Sequence, residues 1–192
     1  MKIACILTAN ELSNTDTSLI VFPEGVNRKE IKQAQSSHTG AMIVGATVEN
    51  DFIRGVLLHR GKNQIDYLKV ETDGRTKGSC DADQKPLYEF ENLCIGILIC
   101  KDIDNVGFSK AVIDGIKSSS AELKLLCIPA DMGSYWLSGD SLPSLQKYQG
   151  INVIVCNHIK THQDRCKSFI TDTQSRKIIV QQNREPIYAE LP

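Results

Sequence analysis

Apolar residues occur along this chain in short runs, most of them rich in Ile, Val and Leu. Glycine, proline, asparagine, aspartate or serine bounds most runs, which is typical of β-strands of about four to eight residues. The runs predict strands at residues 2–8, 18–22, 41–47, 53–59, 64–70, 87–91, 93–99, 123–128, 151–156, 167–172, 176–181 and 186–190.

Helical periodicity is predicted for three stretches. Residues 27–37 combine a capping residue with mixed acidic and basic positions, and residues 108–118 place apolar side chains on one face. Residues 142–148 follow a serine cap and carry a proline near their start, where a missing N–H does no harm. Helices interleaved with nearly continuous hydrophobic strands predict an α/β domain in which helices cover sheets.

Composition narrows the class of protein. The chain has 192 residues, 41% of them hydrophobic, and a formal charge of −1. These values predict a single globular domain over residues 1–192 and give no basic excess to favour nucleic acid. The apolar run at residues 1–8 is too short for a signal peptide, and no apolar window approaches the ~20 residues that span a bilayer. No membrane partner is therefore expected.

The cysteines indicate a compartment. Seven are present, an odd number, and most lie inside apolar runs. Such a pattern argues against a disulfide framework and for a reducing compartment, so we expect a cytoplasmic protein.

One strand delivers a cysteine to its carboxyl end. The run Leu93-Cys-Ile-Gly-Ile-Leu-Ile-Cys100 is followed by Lys101 and Asp102, where a turn is expected. Backbone N–H groups at the start of a turn suit a nucleophile better than a packing residue. The sequence therefore predicts a cysteine-dependent enzyme with Cys100 as its nucleophile.

Two further strands end in charged residues. The run 18–24 ends in Glu24, directly after a proline that has no N–H to donate to a neighbouring strand. Lys69 lies in a short alternating strand, 31 residues before Cys100. Glutamate, lysine and cysteine in that order, each at a strand end, resemble the nitrilase superfamily of carbon–nitrogen hydrolases.

The resemblance covers most of the chain. Phe-Pro-Glu24 matches the family's general-base motif, Tyr67-Leu-Lys69 its lysine segment, and residues 96–102 its nucleophile motif, with weaker matches at 125–130, 153–157 and 168–172. It implies a four-layer αββα sandwich and cleavage of a non-peptide C–N bond, in an amide, nitrile or carbamoyl compound, through a cysteine thioester. It also implies no metal, no cofactor, and homodimers or higher homo-oligomers paired through the face near the nucleophile.

Chemistry suggests a role for each of the three residues. An ordinary thiol supplies little thiolate at neutral pH, so Cys100 needs a nearby base. Glu24 is the candidate base, first for the thiol and later for the water that hydrolyses the thioester. Lys69 is the candidate that stabilises the oxyanion, with the backbone N–H of Lys101 as a second donor.

Three residues are candidates for substrate contact. The charged side chain of Lys101 is expected at the pocket mouth, and Asp102 either fixes substrate or orients the turn. Trp136 follows the strand at 123–128 on a loop expected to overhang the nucleophile. The long polar loop at 72–86 is expected to border the pocket.

Two of the chain's departures from the family's pattern bear on the fold and the site. Residues 10–19 are too few for the amphipathic helix that normally links the first two strands. This predicts a reduced N-terminal helical layer and an uncovered sheet face that would bind a partner or a second subunit. The family's further glutamate is also displaced, and Glu71 and Asp73 are the acids nearest to its place.

Two other functions remain open. The chain is alternatively a catalytically degraded, nitrilase-like binding or regulatory protein. It is alternatively a cysteine hydrolase of the isochorismatase and nicotinamidase type, although that family's early aspartate is missing from residues 1–7.

Histidine-based sites are not favoured. The surroundings of Cys100 and His158 do not repeat those of a papain-like dyad. Cys156, His158, His162 and Cys166 have a spacing that fits no common zinc site.

Overall fold

The structure is a computed structural model that describes residues 1–12, 16–71, 78, 84–131, 148–157, 168–172, 177–182 and 186–191. Its strands are β1 (Lys2–Cys5), β2 (Leu19–Glu24), β3 (Met42–Glu49), β4 (Phe52–His59), β5 (Lys62–Leu68), β6 (Leu87–Phe90), β7 (Leu93–Ile97), β8 (Leu123–Ala130), β9 (Asn152–Asn157), β10 (Ser168–Asp172), β11 (Lys177–Gln182) and β12 (Ile187–Glu190). The helices are α1 (Arg28–Ser37) and α2 (Val106–Ser118), with short 3₁₀ turns at Ala9–Glu11 and Cys100–Ile103.

Each predicted strand is present, with bounds shifted by a few residues. Helices α1 and α2 also match their predictions, and each begins at an asparagine cap: Asn27 accepts from Lys29 N at 2.9 Å, and Asn105 from Phe108 N at 3.0 Å. The helix predicted at 142–148 lies outside the described residues except for Tyr148.

The strands form two six-stranded sheets. The first sheet has the order β12-β1-β2-β3-β4-β5, and the second β11-β10-β9-β8-β7-β6. In both, three neighbouring strands run parallel (β1-β2-β3 and β7-β8-β9), and the outer strands pair antiparallel. The sheets stack through β2 and β3 of the first and β8 and β9 of the second, and the main core fills the space between them.

One helix covers the outer face of each sheet. Helix α2 packs on β7 and β8, and helix α1 packs on β3. This gives the four-layer αββα sandwich that the resemblance implies, with the N-terminal helical layer reduced to α1 and a 3₁₀ turn among the described residues. None of the described helices has the length and apolar content needed to cross a membrane.

The prediction that one sheet face is left uncovered is wrong for the centre of the first sheet. Outward-facing Ile20, Phe22 and Ile43 are 0% exposed. They belong to a second apolar cluster under α1 and the first 3₁₀ turn, made of Ala4, Ile6, Ala9, Ile20, Phe22, Val26, Ile31, Ala34, Ala41 and Ile43. Small residues and one short helix therefore bury this face without the missing helix.

Candidate active site

Glu24 is the last residue of β2, where the ladder to β3 is irregular. Pro23 has no N–H to donate, and the register shifts between Val21 and Glu24. Gly25 then turns the chain at φ 81°, a conformation that favours glycine, and its N–H donates to Ala46 O at 2.8 Å. The strand thus runs through the proline, two residues beyond its predicted end, and leaves the carboxylate at the strand terminus.

Lys69 directly follows β5. The inward-facing positions of this strand, Ile65 and Tyr67, lie in the core between the sheets, and the alternation carries Lys69 to the same side. Its N–H donates to Ile53 O at 2.8 Å, and its side chain is 5% exposed. A buried lysine requires a charged or polar partner, because an isolated ammonium is costly to desolvate.

Cys100 opens the 3₁₀ turn Cys100–Ile103, three residues after β7 ends. Its φ is 45°, in the left-handed region that few non-glycine residues adopt. Such strain is characteristic of residues held in place for a function. The N–H of Lys101 lies in the first turn, where a helix has no internal acceptor for it.

The structure brings the three predicted residues together. Lys69 Nζ lies 2.8 Å from Glu24 Oε1 and 2.9 Å from Oε2. The Cys100 thiol lies close enough to the Glu24 carboxylate and to the backbone N–H of Asp131, which follows β8, for both groups to shift its pKa. The first sheet thus supplies the acid and the amine, and the second supplies the sulfur.

Burial governs the protonation of this cluster. It raises the pKa of the Cys100 thiol to about 12, with a further contribution from the Glu24 charge and partial opposition from Lys69. Burial also raises the pKa of Glu24, although the Lys69 ammonium opposes that shift. At neutral pH the resting site therefore holds a protonated thiol beside a carboxyl group whose two oxygens both contact Lys69 Nζ.

Asp102 does not lie where a substrate would touch it. It is 0% exposed, and its Oδ1 accepts from the N–H groups of Val70 and Glu71, both at 2.8 Å. Of its two predicted roles, this geometry fits orientation of the turn and not contact with substrate. The Lys101 side chain is exposed, and its place at the mouth of a substrate pocket stays a prediction.

Glu71, one of the two acids nearest to the family's further glutamate, faces helix α2. Its Oε1 accepts from Asn105 Nδ2 at 3.0 Å, so it binds the residue that caps α2. Asp73 and Trp136 lie outside the described residues. From the loop at 72–86, Gln84 Oε1 accepts from Leu68 N at 2.8 Å, which ties the end of this loop to β5.

The structure gives a place at the site to two residues for which the sequence predicted no role of their own, Asp131 and Tyr67. Tyr67 donates its hydroxyl to Asp102 Oδ2 at 3.1 Å from the buried face of β5. Asp131 directly follows β8, and this place at a strand end was the signal that the sequence offered for it. Its N–H lies near the Cys100 thiol, which follows a different strand, so the sequence did not indicate that the two residues meet.

The described cysteines are free and buried. Cys156 lies in β9 with its sulfur 3.7 Å from Ile6 O, while His158, His162 and Cys166 lie outside the described residues. Within the described part of the chain, no group of three His, Cys, Asp or Glu residues is arranged to hold a metal.

Comparisons with known proteins give a fold but no sequence relative. No family model and no curated protein matches the chain. Among solved structures, glutamine-dependent NAD+ synthetase from Acinetobacter baumannii superposes with a TM-score of 0.70 at 15% identity, over 97% of this chain and 44% of that one. This chain therefore spans less than half the length of that synthetase.

Two smaller proteins are similar over most of their own length. The NitN amidase from Nesterenkonia sp. AN1 gives a TM-score of 0.69 at 16% identity, covering 100% of this chain and 93% of the amidase. Nit3 from Saccharomyces cerevisiae, a member of branch 10 of the nitrilase superfamily, gives 0.67 at 14% identity, covering 98% and 89%.

The chain therefore has the fold of the nitrilase superfamily, and the resemblance predicted from its motifs is confirmed at that level. The isochorismatase and nicotinamidase alternative is correspondingly disfavoured, because the neighbours belong to the nitrilase superfamily and the candidate acid ends β2.

Proposed function

We propose that this protein is a hydrolase that cleaves a non-peptide C–N bond in a small amide, nitrile or carbamoyl compound. Cys100 is the nucleophile, Glu24 the general base, and Lys69 the residue that stabilises the oxyanion. The observation that carries the proposal is the convergence of these three side chains in one buried cluster, where Lys69 is hydrogen bonded to Glu24 and the charges of both act on the Cys100 thiol.

The first half-reaction, written for an amide, begins with a neutral thiol. As the sulfur attacks the carbonyl carbon, its proton moves to Glu24, so no free thiolate has to accumulate in a site that disfavours it. The carbonyl oxygen becomes an oxyanion between the Lys69 ammonium and the Lys101 N–H. Glu24 then gives the proton to the leaving nitrogen, the C–N bond breaks, and a thioester remains on Cys100.

The second half-reaction uses the same groups. Glu24 takes a proton from water, and the resulting hydroxide adds to the thioester carbon. The C–S bond breaks, the carboxylic acid leaves, and the proton returns to the sulfur. The raised pKa of Glu24 suits both halves, because a base works best when its pKa lies nearer the operating pH.

Release of ammonia or amine from a panel of small amides, nitriles and carbamoyl compounds tests the proposal. We expect Cys100→Ala to lose turnover while its melting temperature stays within about 3 °C of the wild type. Cys94→Ala is a matched control, since it removes a buried thiol from the same strand region. Full turnover by Cys100→Ala would end the proposal.

One observation favours a binding protein without turnover. A thiol pKa of about 12 keeps Cys100 protonated, as in an inert buried cysteine. Iodoacetamide distinguishes the two functions. A catalytic site labels at Cys100 at least about tenfold faster than at the other buried cysteines, because Glu24 accepts the thiol proton, whereas a binding protein labels all of them slowly.

Self-association and location are further proposals. We propose pairing through the face that carries α2 and the turn after Cys100, where Val106 is 78% exposed. Sedimentation at micromolar concentration tests this, and a strict monomer would count against it. The free thiols support a reducing compartment such as the cytoplasm.

A further inference from the structure

The Asp102 carboxylate accepts hydrogen bonds from four donors. Besides the N–H groups of Val70 and Glu71 on Oδ1, Oδ2 accepts from Tyr67 Oη at 3.1 Å and from Ile99 N at 3.4 Å. Three donors belong to the segment around Lys69, and the fourth belongs to the residue before Cys100. One buried side chain therefore joins the two parts of the candidate site that come from different sheets.

This contact is costly for the fold. Burial raises the pKa of Asp102 to about 6, even though the N–H groups of Glu71 and Val70 favour its ionised form. An apolar residue at this position would avoid the desolvation, but it would leave the donors without an acceptor. The Asp102 carboxylate therefore serves to hold those donor groups in fixed positions.

The link between the two segments is short and stiff. The backbone at Lys69 is held on one side by its N–H bond to Ile53 O at 2.8 Å, and on the other by the bonds of the next two N–H groups to Asp102. Asp102 itself lies two residues after Cys100, inside the same 3₁₀ turn. Few rotatable bonds therefore separate the lysine backbone from the nucleophile backbone.

We infer that Asp102 is a positioning residue, which fastens the backbone after Lys69 to the turn of Cys100 and so sets the distance between ammonium and sulfur. The inference rests on the proposed function, since the distance matters only if the two groups act on one substrate. Misplacement by about 1 Å costs up to a hundredfold in rate when groups act together.

Two substitutions separate positioning from simple packing. Asp102→Asn keeps an oxygen that reaches the N–H groups of Val70 and Glu71. Its amide NH₂, in the place of Oδ2, can donate to Tyr67 Oη but gives up the bond from Ile99 N, the longest of the four at 3.4 Å. Asp102→Ser keeps a hydroxyl that can form hydrogen bonds within its own 3₁₀ turn. The serine side chain is one bond shorter than that of aspartate, so it does not reach the N–H groups of residues 70 and 71. Asp104→Asn, an exposed acid in the same turn region, is the matched control.

The readouts are the rate and pH profile of Cys100 alkylation by iodoacetamide, measured by peptide mass, beside kcat and KM for amide turnover. We expect Asp102→Ser to lower kcat and the alkylation rate at least about tenfold with little change in KM. Its alkylation profile shifts to higher pH, because the lysine charge is further from the sulfur. Asp102→Asn restores both rates to within about threefold of the wild type, and Asp104→Asn changes neither.

Equal rates and profiles in Asp102→Ser and the wild type would overturn the inference, and so would a loss in Asp102→Asn as large as in Asp102→Ser. If Asp102→Ser unfolds, iodoacetamide alkylates all of the buried cysteines, and the test then depends on Asp102→Asn alone. A wild-type pH profile of Cys100 alkylation in that variant supports the inference, and loss of the profile overturns it. A wild type without amide turnover, but with alkylation profiles that change as described, would refute the proposed function and show only that Asp102 sets the place of Lys69 relative to the Cys100 sulfur.

Discussion

The ion pair between Lys69 and Glu24 gives a prediction with a calculable size. The two side chains are 5% and 11% exposed, so Lys69→Met, which puts an unbranched apolar side chain one atom shorter in the place of lysine, leaves Glu24 buried without its cation. The carboxyl then either stays charged in an apolar site or takes up a proton. Protonation of a group with a usual pKa of about 4.3 costs about 3.7 kcal/mol at about pH 7. This value is the upper limit on the penalty, which is the free energy of unfolding that Lys69→Met loses.

The penalty has a definite pH dependence. Without Lys69 the folded-state pKa of Glu24 rises further above its unfolded value, so the folded state binds the proton more tightly and gains stability as pH falls. The upper limit on the penalty falls to about 1 kcal/mol at about pH 5. Urea unfolding at the two pH values measures both penalties.

Two variants serve as controls. Lys110→Met removes the cation from an exposed pair with Asp114, 71% and 53% exposed, and is expected to cost at most about 0.5 kcal/mol. The double variant Glu24→Gln, Lys69→Met removes both charges and is expected to recover most of the stability. A Lys69→Met penalty equal to that of Lys110→Met, or independent of pH, would refute the account of the pair.

Three further predictions concern catalysis and packing. Because Glu24 must be ionised to act as base and burial raises its pKa, kcat/KM should fall with decreasing pH through a limb above the usual value of about 4.3, and a limb at or below that value would contradict the assignment. Gly96→Ala places a Cβ 2.5 Å from Ile116 Cδ1, so it should cost about 1–3 kcal/mol in urea unfolding, whereas an unchanged midpoint would show that α2 is not tightly packed on β7. Asn105→Ala removes the cap on Phe108 N and should cost about 1 kcal/mol by the same measurement, with no loss counting against the cap.

The strands were predictable because their physics is local. Alternation in β5, where the buried Ile65 and Tyr67 stand on either side of the exposed Asp66, is visible in the chain itself, as are the continuous apolar runs of β7 and β8. The end of β2 was placed early, because Pro23 removes one ladder donor but the chain absorbs this with a register shift.

The contacts of the site were harder to predict, because they join distant segments. Motif order indicated Glu24, Lys69 and Cys100, but Asp102 looked equally suited to bind substrate. Its partners Val70 and Glu71 precede it by about thirty residues and donate through the backbone, which carries no residue-specific signal. The covered sheet face was missed for a similar reason, since small residues let a short helix seal it.

The central claim is that Cys100 forms a covalent acyl intermediate. Rapid quenching of the wild type with a turned-over amide, followed by peptide mass analysis, measures it directly. The account predicts one acyl group on Cys100 that hydroxylamine removes, and none on Cys100→Ala. Steady turnover with no acyl group at Cys100, or with the acyl group on another residue, would contradict it.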